Sequence, residues 1–374
     1  MTDFQTMANL AVDELLELEP EEATQLGDHR FDDRFADRSQ AGADLAVRRL
    51  RARQLELERV DLATLDKESL VDAKVLANQL ALRIFSYEEL REPSWNPLVY
   101  NPGDGLFSLL SQRTLPPEAR LRSICGRLEA IPDLVQVGRR QLENCPEIHV
   151  KTALDQHGGV VKLIRDEVDL LIKEVNDLFI RGRVAKAQQR ALVAWDAFGR
   201  HLEDSLGSAK GEFRLGPERF SEKLSLYLHS PLGAEEVLRR ANARLDALTE
   251  ELAEAAGQLS EGGGGSSSER IRRVLDTVAE HHSNNQTVLA EAGAVLEQLT
   301  SAVNASGLFT IPTDPYDLEV VPEFMRGTAS AYCMPAGPFE EGARSKVMIS
   351  PTPDDWTKEQ SESFYREVNS AMMV

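Results

Sequence analysis

The sequence changes character near its end, where Leu318-Glu-Val-Val-Pro322, Thr328-Ala-Ser-Ala-Tyr-Cys-Met334 and Lys346-Val-Met-Ile-Ser350 follow one another. Each is a short run with extended character, and a proline ends it or follows it directly. Proline lacks the backbone N–H that a strand or helix needs, so it stops such runs. We therefore predict a small β-sheet at about residues 318–350.

Nearly all of the chain before residue 308 has helical spacing of its apolar residues. The clearest stripe recurs every three or four positions: Leu121, Ile124, Cys125, Leu128 and Ile131. Such a stripe predicts a helix with one face in a core, which places the Cys125 thiol inside. The predicted fold class is mainly α: a large multi-helix array with a small sheet near its C-terminal end.

A long charged helix is predicted at residues 234–260, with its apolar positions facing inward: Val237, Ala241, Leu245, Leu248 and Leu252. The Gly- and Ser-rich stretch 261–268 follows and predicts a flexible surface loop, because such composition orders poorly. The loop is too short to mark a domain boundary. We expect residues 1–374 to form one helical domain.

The last predicted element is a helix over residues 357–373, opened by acidic residues at its N-terminal end. Its apolar face would carry Phe364, Val368, Ala371 and Met372. The sequence ends at Val374 without the glycine, proline or basic turn that usually closes a helix. This pattern leads us to expect a domain that is incomplete at its C-terminus, with Phe364, Val368 and Met372 left exposed.

Acidic residues outnumber basic ones, 62 to 42, for a net charge of −20. That balance argues against nucleic acid or an anionic membrane as a partner, since both attract basic surfaces. No secretory leader and no long apolar segment are apparent, and the three cysteines have no metal-like spacing. We expect a cytoplasmic protein with buried thiols; its oligomeric state is left open.

Known catalytic motifs are missing from the sequence: it has no His-Glu-x-x-His, no Cys-x-x-Cys and no Gly-x-Ser-x-Gly. One polar loop, Gly27-Asp-His-Arg-Phe-Asp-Asp-Arg34, places His29 beside several carboxylates and permits a metal site. The simpler interpretation is that its Asp and Arg side chains pair and cap the next helix. From the residues alone, no catalytic and no metal-binding residue is assigned.

Four segments nevertheless resemble one bacterial family, domain of unknown function 885. They are the polar loop ending at Arg34, Phe213-Arg-Leu-Gly-Pro-Glu-Arg-Phe220, the run at 322–335 and the helix from Trp356 to Asn369. The resemblance spans the whole chain and implies a helix-rich zinc peptidase of the gluzincin kind. In that family a His-Glu-x-x-x-His-type motif follows the segment that matches Tyr365 to Val374, and a distant glutamate is the third ligand.

The resemblance thus implies the N-terminal part of a zinc-metallopeptidase-like protein, inactive alone, with no cofactor in this chain. Zinc and a peptide substrate are expected only together with a C-terminal half. In such peptidases an edge strand pairs with the extended substrate, so Ser330, Ala331 and Tyr332 are the candidate substrate-binding residues. A purely structural strand remains the other interpretation, and a non-catalytic helical scaffold is the alternative function.

Overall fold

Helices built on apolar stripes make up most of the chain, and a three-stranded sheet interrupts them near the end. The computed structural model describes residues 4–111, 114–259, 265–321, 329–354 and 356–368. The predicted fold class, mainly α with a small C-terminal sheet, is confirmed.

The α-helices, numbered along the chain, are α1 Phe4–Leu18, α2 Pro20–Leu26, α3 Gln40–Leu57, α4 Lys67–Phe85, α5 Gly103–Ser111, α6 Pro117–Gln141, α7 Glu147–Lys162, α8 Val168–Glu174, α9 Leu178–Leu206, α10 Gly216–Leu228, α11 Ala234–Leu259, α12 Ser267–Val278, α13 Val288–Ser306 and α14 Lys358–Glu367. Short 3₁₀ or π-helical turns extend or link several of them. The strands are β1 Tyr316–Val320, β2 Ala331–Met334 and β3 Ser345–Ile349.

Side-chain caps explain where several helices begin. Ser39, Asp66 and Asp177 each accept a hydrogen bond from a backbone N–H in the first turn of α3, α4 and α9. These bonds satisfy donors that have no partner inside the helix. α2 ends at Gly27, whose φ of +88° is a left-handed conformation that glycine adopts without strain.

The chain divides into two compact units. Unit 1 comprises residues 1–233 together with 337–341, and unit 2 comprises 234–336 and 342–374. The expectation of one domain stays a prediction. The predicted flexible stretch 261–268 lies partly outside the described residues, and its last two serines belong to α12.

The core of unit 1 forms where α6 and α9 pack together along their apolar stripes. All five residues of the predicted α6 stripe are buried, and Cys125 is 1% exposed, which confirms its predicted place in the core. α9 contributes a second buried stripe: Ile180, Val184, Ala187, Ala191, Trp195, Phe198 and Leu202. A Cβ at Gly138 of α6 would lie 3.2 Å from the Phe198 ring, so glycine lets the helices approach.

The sheet of unit 2 has the strand order β1-β3-β2. β1 runs parallel to β3, with Leu318 opposite Val347, and β2 runs antiparallel to it, with Tyr332 opposite Met348. The three strands lie within two or three residues of the predicted segments. Part of the predicted second strand, together with the rest of residues 322–328, lies outside the described residues.

Helices α13 and α14 cover one face of this sheet. Val288 and Ala292 of α13, Ile349 of β3 and Tyr365 of α14 form a buried cluster, and Leu318, Ala331, Val347, Phe364 and Val368 pack against it. The expectation that Phe364 and Val368 are left exposed is therefore wrong, because this cluster partly buries both side chains. Met372 and the predicted helical residues after Val368 lie outside the described residues.

Two other expectations are also wrong. Cys333, expected inside, is exposed on β2. The predicted inward face of α11 is on the surface, with Leu245 62% exposed and Leu248 and Leu252 also exposed. The only α11 residue buried within the described part of the chain is Ala256, because the helix packs against α12 near its C-terminal end.

Across the described ranges, no helix combines the length and the apolar character needed to cross a membrane.

Candidate functional site

β2 is an edge strand of the sheet, since β3 is its only partner among the described strands. The Ser350 N–H donates to the Ser330 carbonyl oxygen at 2.9 Å, so these residues form a hydrogen-bonded pair across the two strands. In an antiparallel ladder such pairs alternate with pairs whose backbone groups point away from the partner strand. Ala331 and Cys333 therefore direct their N–H and C=O groups away from β3, at the outer edge.

The structure places the three predicted site residues together at the start of this edge. Ser330 lies just before β2 and bonds to β3 through its carbonyl. The Ala331 side chain packs toward the cluster with Ile349, and Tyr332 is half-buried on the opposite face, as the two-residue period of a strand requires. Their part in substrate binding stays a prediction.

A cavity of about 250 Å³ opens where β2 begins. Its lining comes from the two residues before β2, from the turn after β3 and from α14 with its flanking residues: Ala329, Ser330, Ser350, Pro351, Thr352, Pro353, Trp356, Phe364 and Val368. The Trp356 and Phe364 rings meet edge to face, with centroids 6.0 Å apart. None of these lining side chains is titratable, so the described part of the cavity can hold an apolar group but supplies no acid or base.

A polar cluster around the buried Thr352 and Tyr365 side chains fixes the wall of this cavity. The Asn285 Oδ1 atom accepts from the Tyr365 hydroxyl at 2.6 Å and from the Thr352 backbone N–H at 3.0 Å. The Thr352 hydroxyl lies 2.9 Å from the same oxygen and 2.8 Å from the Ser361 hydroxyl. Because Tyr365 and Thr352 are each 1% exposed, these bonds satisfy groups that water cannot reach. They hold the 350–353 turn against α14.

Helix α14 begins with a reciprocal cap that also sets its position. The Thr357 hydroxyl accepts from the Gln360 N–H, and the Gln360 side chain accepts from the Thr357 N–H at 2.8 Å. At this helix start, hydrogen bonds from its own backbone N–H and from Thr357 lower the pKa of the Glu359 carboxyl. The negative charge also suits the positive end of the helix.

Sequence reasoning missed most of the cavity. Asn285 belongs to the turn before α13, and Tyr365 was outside the predicted apolar face of α14. The predicted helix start at Thr357 already placed Trp356 just outside α14, and the capping pattern Thr357-x-x-Gln360 agrees with that boundary. Nothing local indicates that Asn285 meets Thr352, 67 positions later.

The His29 loop in unit 1 is held together by hydrogen bonds and Asp–Arg ion pairs. The His29 Nδ1 atom lies 2.9 Å from an Asp32 carboxylate oxygen, and its Nε2 atom lies 3.4 Å from Glu340. Arg30 pairs with Asp28 at 2.7 Å and, through hydrogen bonding, lowers the pKa of that carboxyl. This pattern of pairing is what the simpler interpretation predicted.

Beneath the loop lies Arg127 of α6, which is fully buried. Its guanidinium donates to the Thr24 hydroxyl at 2.6 Å and to the carbonyl oxygens of Gly105, Pro20 and Arg34. The Thr24 hydroxyl in turn lies 2.7 Å from Asp32. Burial lowers the pKa of Arg127, and nearby carboxylates oppose that shift. The cluster joins α2, α5 and α6, which gives the polar loop a structural role.

Within the ranges that the structure describes, no three His, Cys, Asp or Glu side chains come together as a metal site requires. The zinc implied by the resemblance thus has no ligand set among these residues, and we derive no step through it.

The matching family model is described as "Bacterial protein of unknown function (DUF885)", and it covers residues 20–372. The chain belongs to this family. The match confirms the family resemblance predicted from the four sequence segments. No protein with a curated description matches the chain.

Two solved structures share the fold. One, "a putative lipoprotein of unknown function from Shewanella oneidensis", has a TM-score of 0.78 at 21% identity, over 99% of this chain and 68% of its own. The other, "the putative lipoprotein from Colwellia psychrerythraea", has a TM-score of 0.69 at 14% identity, over 92% of this chain and 67% of its own. At these identities the likeness shows the fold alone.

These descriptions overturn one prediction. A bacterial lipoprotein is exported and anchored to a membrane, and both structures carry that description. The prediction of a cytoplasmic protein is therefore wrong. Neither description states an activity, so the relationship to zinc peptidases stays a prediction.

Proposed function

We propose that the chain binds an extended polypeptide, which adds as a further strand to the outer edge of β2. The observation that carries this proposal is the register of β2 on β3. In this register the N–H and C=O groups of Ala331 and Cys333 point away from β3 at the outer edge of β2, where a new strand would bond. Backbone bonds of this kind supply affinity with little dependence on the peptide sequence.

The cavity beside Ser330 supplies selectivity in this proposal. Its volume of about 250 Å³ and its Trp356 and Phe364 rings suit one apolar side chain of the bound segment. Neutral walls disfavour a charged side chain, since a buried charge without a partner is costly. The expected ligand is an unfolded or extended segment with a leucine-sized or aromatic residue near the start of β2.

This role agrees with the zinc-peptidase-like family resemblance, in which an edge strand presents the substrate to the metal. We propose that the chain contributes the strand-binding side of such a site and that bond cleavage requires groups outside the described residues. Peptide binding can be measured on this chain by itself, without any assay of hydrolysis.

The test is the binding of fluorescein-labelled octapeptides, followed by fluorescence anisotropy. Peptides with a central leucine should bind more tightly than the same peptides with a central aspartate. N-methylation of alternate peptide amides should reduce the affinity about tenfold or more, because it removes bonds to the β2 edge. Equal binding of the methylated peptides would contradict strand addition.

Two protein variants locate the interaction. Ala331→Pro removes an N–H that points away from β3, so it should weaken peptide binding while the sheet persists. Trp356→Ala should abolish the preference for leucine over aspartate. Phe309→Ala is the matched control for the aromatic deletion, because Phe309 is 72% exposed and lies outside the cavity. If Ala331→Pro binds peptide like the original chain, β2 is not the binding edge.

A further inference from the structure

Helix α11 presents an unusual surface for its length of 26 residues. Leu238, Leu245 and Leu259 are 61%, 62% and 69% exposed, and Leu248 and Leu252 are also exposed. Single exposed leucines are common on proteins, whereas a continuous row of them marks an interaction surface. We infer that α11 pairs in antiparallel orientation with α11 of a second copy of this chain.

The spacing of the row is that of a coiled coil. Leu238, Leu245, Leu252 and Leu259 recur every seven residues. The same stripe also contains Ala241, Leu248 and Ala255. Each of them follows one of the first three leucines by three residues. A seven-residue repeat of this form keeps one narrow stripe facing a partner helix.

The stripe is complementary to itself when the second helix runs the opposite way. Leu245 then faces Leu248 of the second copy, and each alanine faces a leucine: Ala241 with Leu252, and Ala255 with Leu238. Except at the central Leu245–Leu248 pairs, a large side chain thereby faces a small one, so the helices can approach closely. In a parallel pair the alanines would face each other and leave gaps.

The charges beside the stripe favour the same orientation. In the antiparallel register, Arg244 of one copy lies opposite Glu251 of the other, and this pair occurs twice by symmetry. Within one chain these two residues already lie 2.8 Å apart, and both are 60% exposed. A parallel pair would place Arg244 opposite Thr249 and Glu251 opposite Ala256, which offers no opposite charge. Complementary flanking charges set partner choice and orientation in coiled coils.

The neighbouring helix leaves this stripe accessible. Ala256 is the α11 residue that is buried, and a Cβ at Gly257 would lie 3.7 Å from Arg270 of α12. These contacts lie to one side of the leucine row. α12 also exposes Leu275 and Val278, which can extend the apolar surface that a second copy covers.

The first measurement is the mass of the intact chain in solution, by light scattering after size-exclusion chromatography. We expect twice the chain mass of 41.5 kDa at micromolar concentration. The double variant Leu245→Glu/Leu248→Glu places charges in the central layer and should give the mass of one chain. Leu55→Glu, at an exposed leucine of α3, is the matched control and should remain dimeric.

A mass of 41.5 kDa for the unaltered chain would overturn the inference. So would a dimer that survives the central-layer substitutions, provided that circular dichroism shows α-helix retained in each variant.

Charge exchange tests the register. Arg244→Glu alone should raise the dimer dissociation constant about tenfold, because two attractive pairs become repulsive. The double variant Arg244→Glu/Glu251→Arg should return the dissociation constant to its original value. No difference between the single and the double variant would exclude this register.

Orientation is tested by cross-linking in a Cys333→Ser background. Ala241→Cys/Leu252→Cys should form a disulfide-linked dimer, whereas Ala241→Cys alone should not. Within one helix the two positions are about 16 Å apart, too far for an internal disulfide. A cross-link from Ala241→Cys alone would indicate a parallel pair and overturn the proposed orientation.

Discussion

Helices α9 and α11 have similar lengths, 29 and 26 residues, and both carry an apolar stripe, yet they end up in opposite environments. α9 buries eight residues, including Trp195 and Phe198, whereas α11 buries Ala256. A stripe therefore shows that a helix needs an apolar partner, but it does not show where that partner is. The partner of α9 is in unit 1, and we propose that the partner of α11 is another chain.

What distinguishes α9 is close packing from Ile180 to Leu202. Its Gly199 faces His157 of α7, where a Cβ would come within 2.7 Å of the imidazole Nε2 atom. The His157 ring stacks on Trp195 with centroids 5.2 Å apart and planes 4° from parallel. α11 has no comparable contact in the part of the chain that the structure describes.

The largest expected effect is therefore in the α9 core. Phe198→Ala should lower the free energy of unfolding by about 3–5 kcal/mol, because it leaves a cavity in a tightly packed site. Leu245→Ala on α11 should change it by no more than about 0.5 kcal/mol when the chain is monomeric. Urea denaturation at low protein concentration measures the free energy of unfolding of both variants. Equal decreases would show that α9 and α11 do not differ in their packing.

Charged residues allow the same comparison between interior and surface. Arg127→Met should cost about 3 kcal/mol, since it leaves buried carbonyl oxygens and the Thr24 hydroxyl without their donor. Arg122→Met is the control: its pairs with Glu118 and Asp177 are at the surface, and surface pairs contribute about 0–1 kcal/mol. Denaturation curves that shift equally would show that the Arg127 cluster is not structural.

A smaller effect is expected in unit 2. Tyr365→Phe removes the hydroxyl that donates to Asn285 and should lower the free energy of unfolding by about 1 kcal/mol. It should also weaken peptide binding, because the 350–353 turn would lose one of its anchors. Tyr227→Phe, at a side chain that is 74% exposed, should leave both quantities unchanged. If Tyr365→Phe leaves the peptide affinity unchanged, the 350–353 turn does not contribute to the binding site.

The smallest effect concerns pH and returns to α9. Burial, together with the charge of Arg139, lowers the pKa of His201 below its usual 6.5, and Asp204 opposes this. As the pH falls, the unfolded chain therefore binds a proton at His201 at a higher pH than the folded chain does. The contribution of His201 to stability is thus present above pH 6.5 and declines as the pH falls. His201→Gln should make the loss of Tm between pH 7 and pH 5 shallower. His229→Gln is the exposed control, and an unchanged slope for His201→Gln would refute the assignment.

Local pattern predicted what depends on neighbours in sequence. The α6 stripe around Cys125 and the three strands followed from spacing and from proline positions, because these features act within a few residues. The burial of α11 was mispredicted, since an apolar stripe looks the same whether its partner is in the chain or outside it. The exposure of Cys333 was missed for a related reason: a short edge strand gives no sign of which neighbour covers it.

The candidate site shows the same limit. Ser330, Ala331 and Tyr332 were chosen through the family resemblance, and the structure places them at an edge. The cavity beside them depends on Trp356 and Phe364, and on Asn285 reaching Thr352 across 67 positions. Contacts between such distant residues come from tertiary packing, which no periodicity encodes.

The segment 337–341 has a practical consequence for work with gene fragments. It belongs to unit 1, although the strands on either side of it, β2 and β3, belong to unit 2. The Phe339 N–H donates to the Leu26 carbonyl at 3.0 Å, and a Cβ at Gly27 would lie 2.6 Å from Glu340 Cβ. A fragment encoding residues 1–233 would therefore be missing a piece of its own unit. Because segments of the two units alternate along the chain, no single cut in the gene yields both units whole. Joining the termini and opening the chain at another point does not change this, since the segments still alternate.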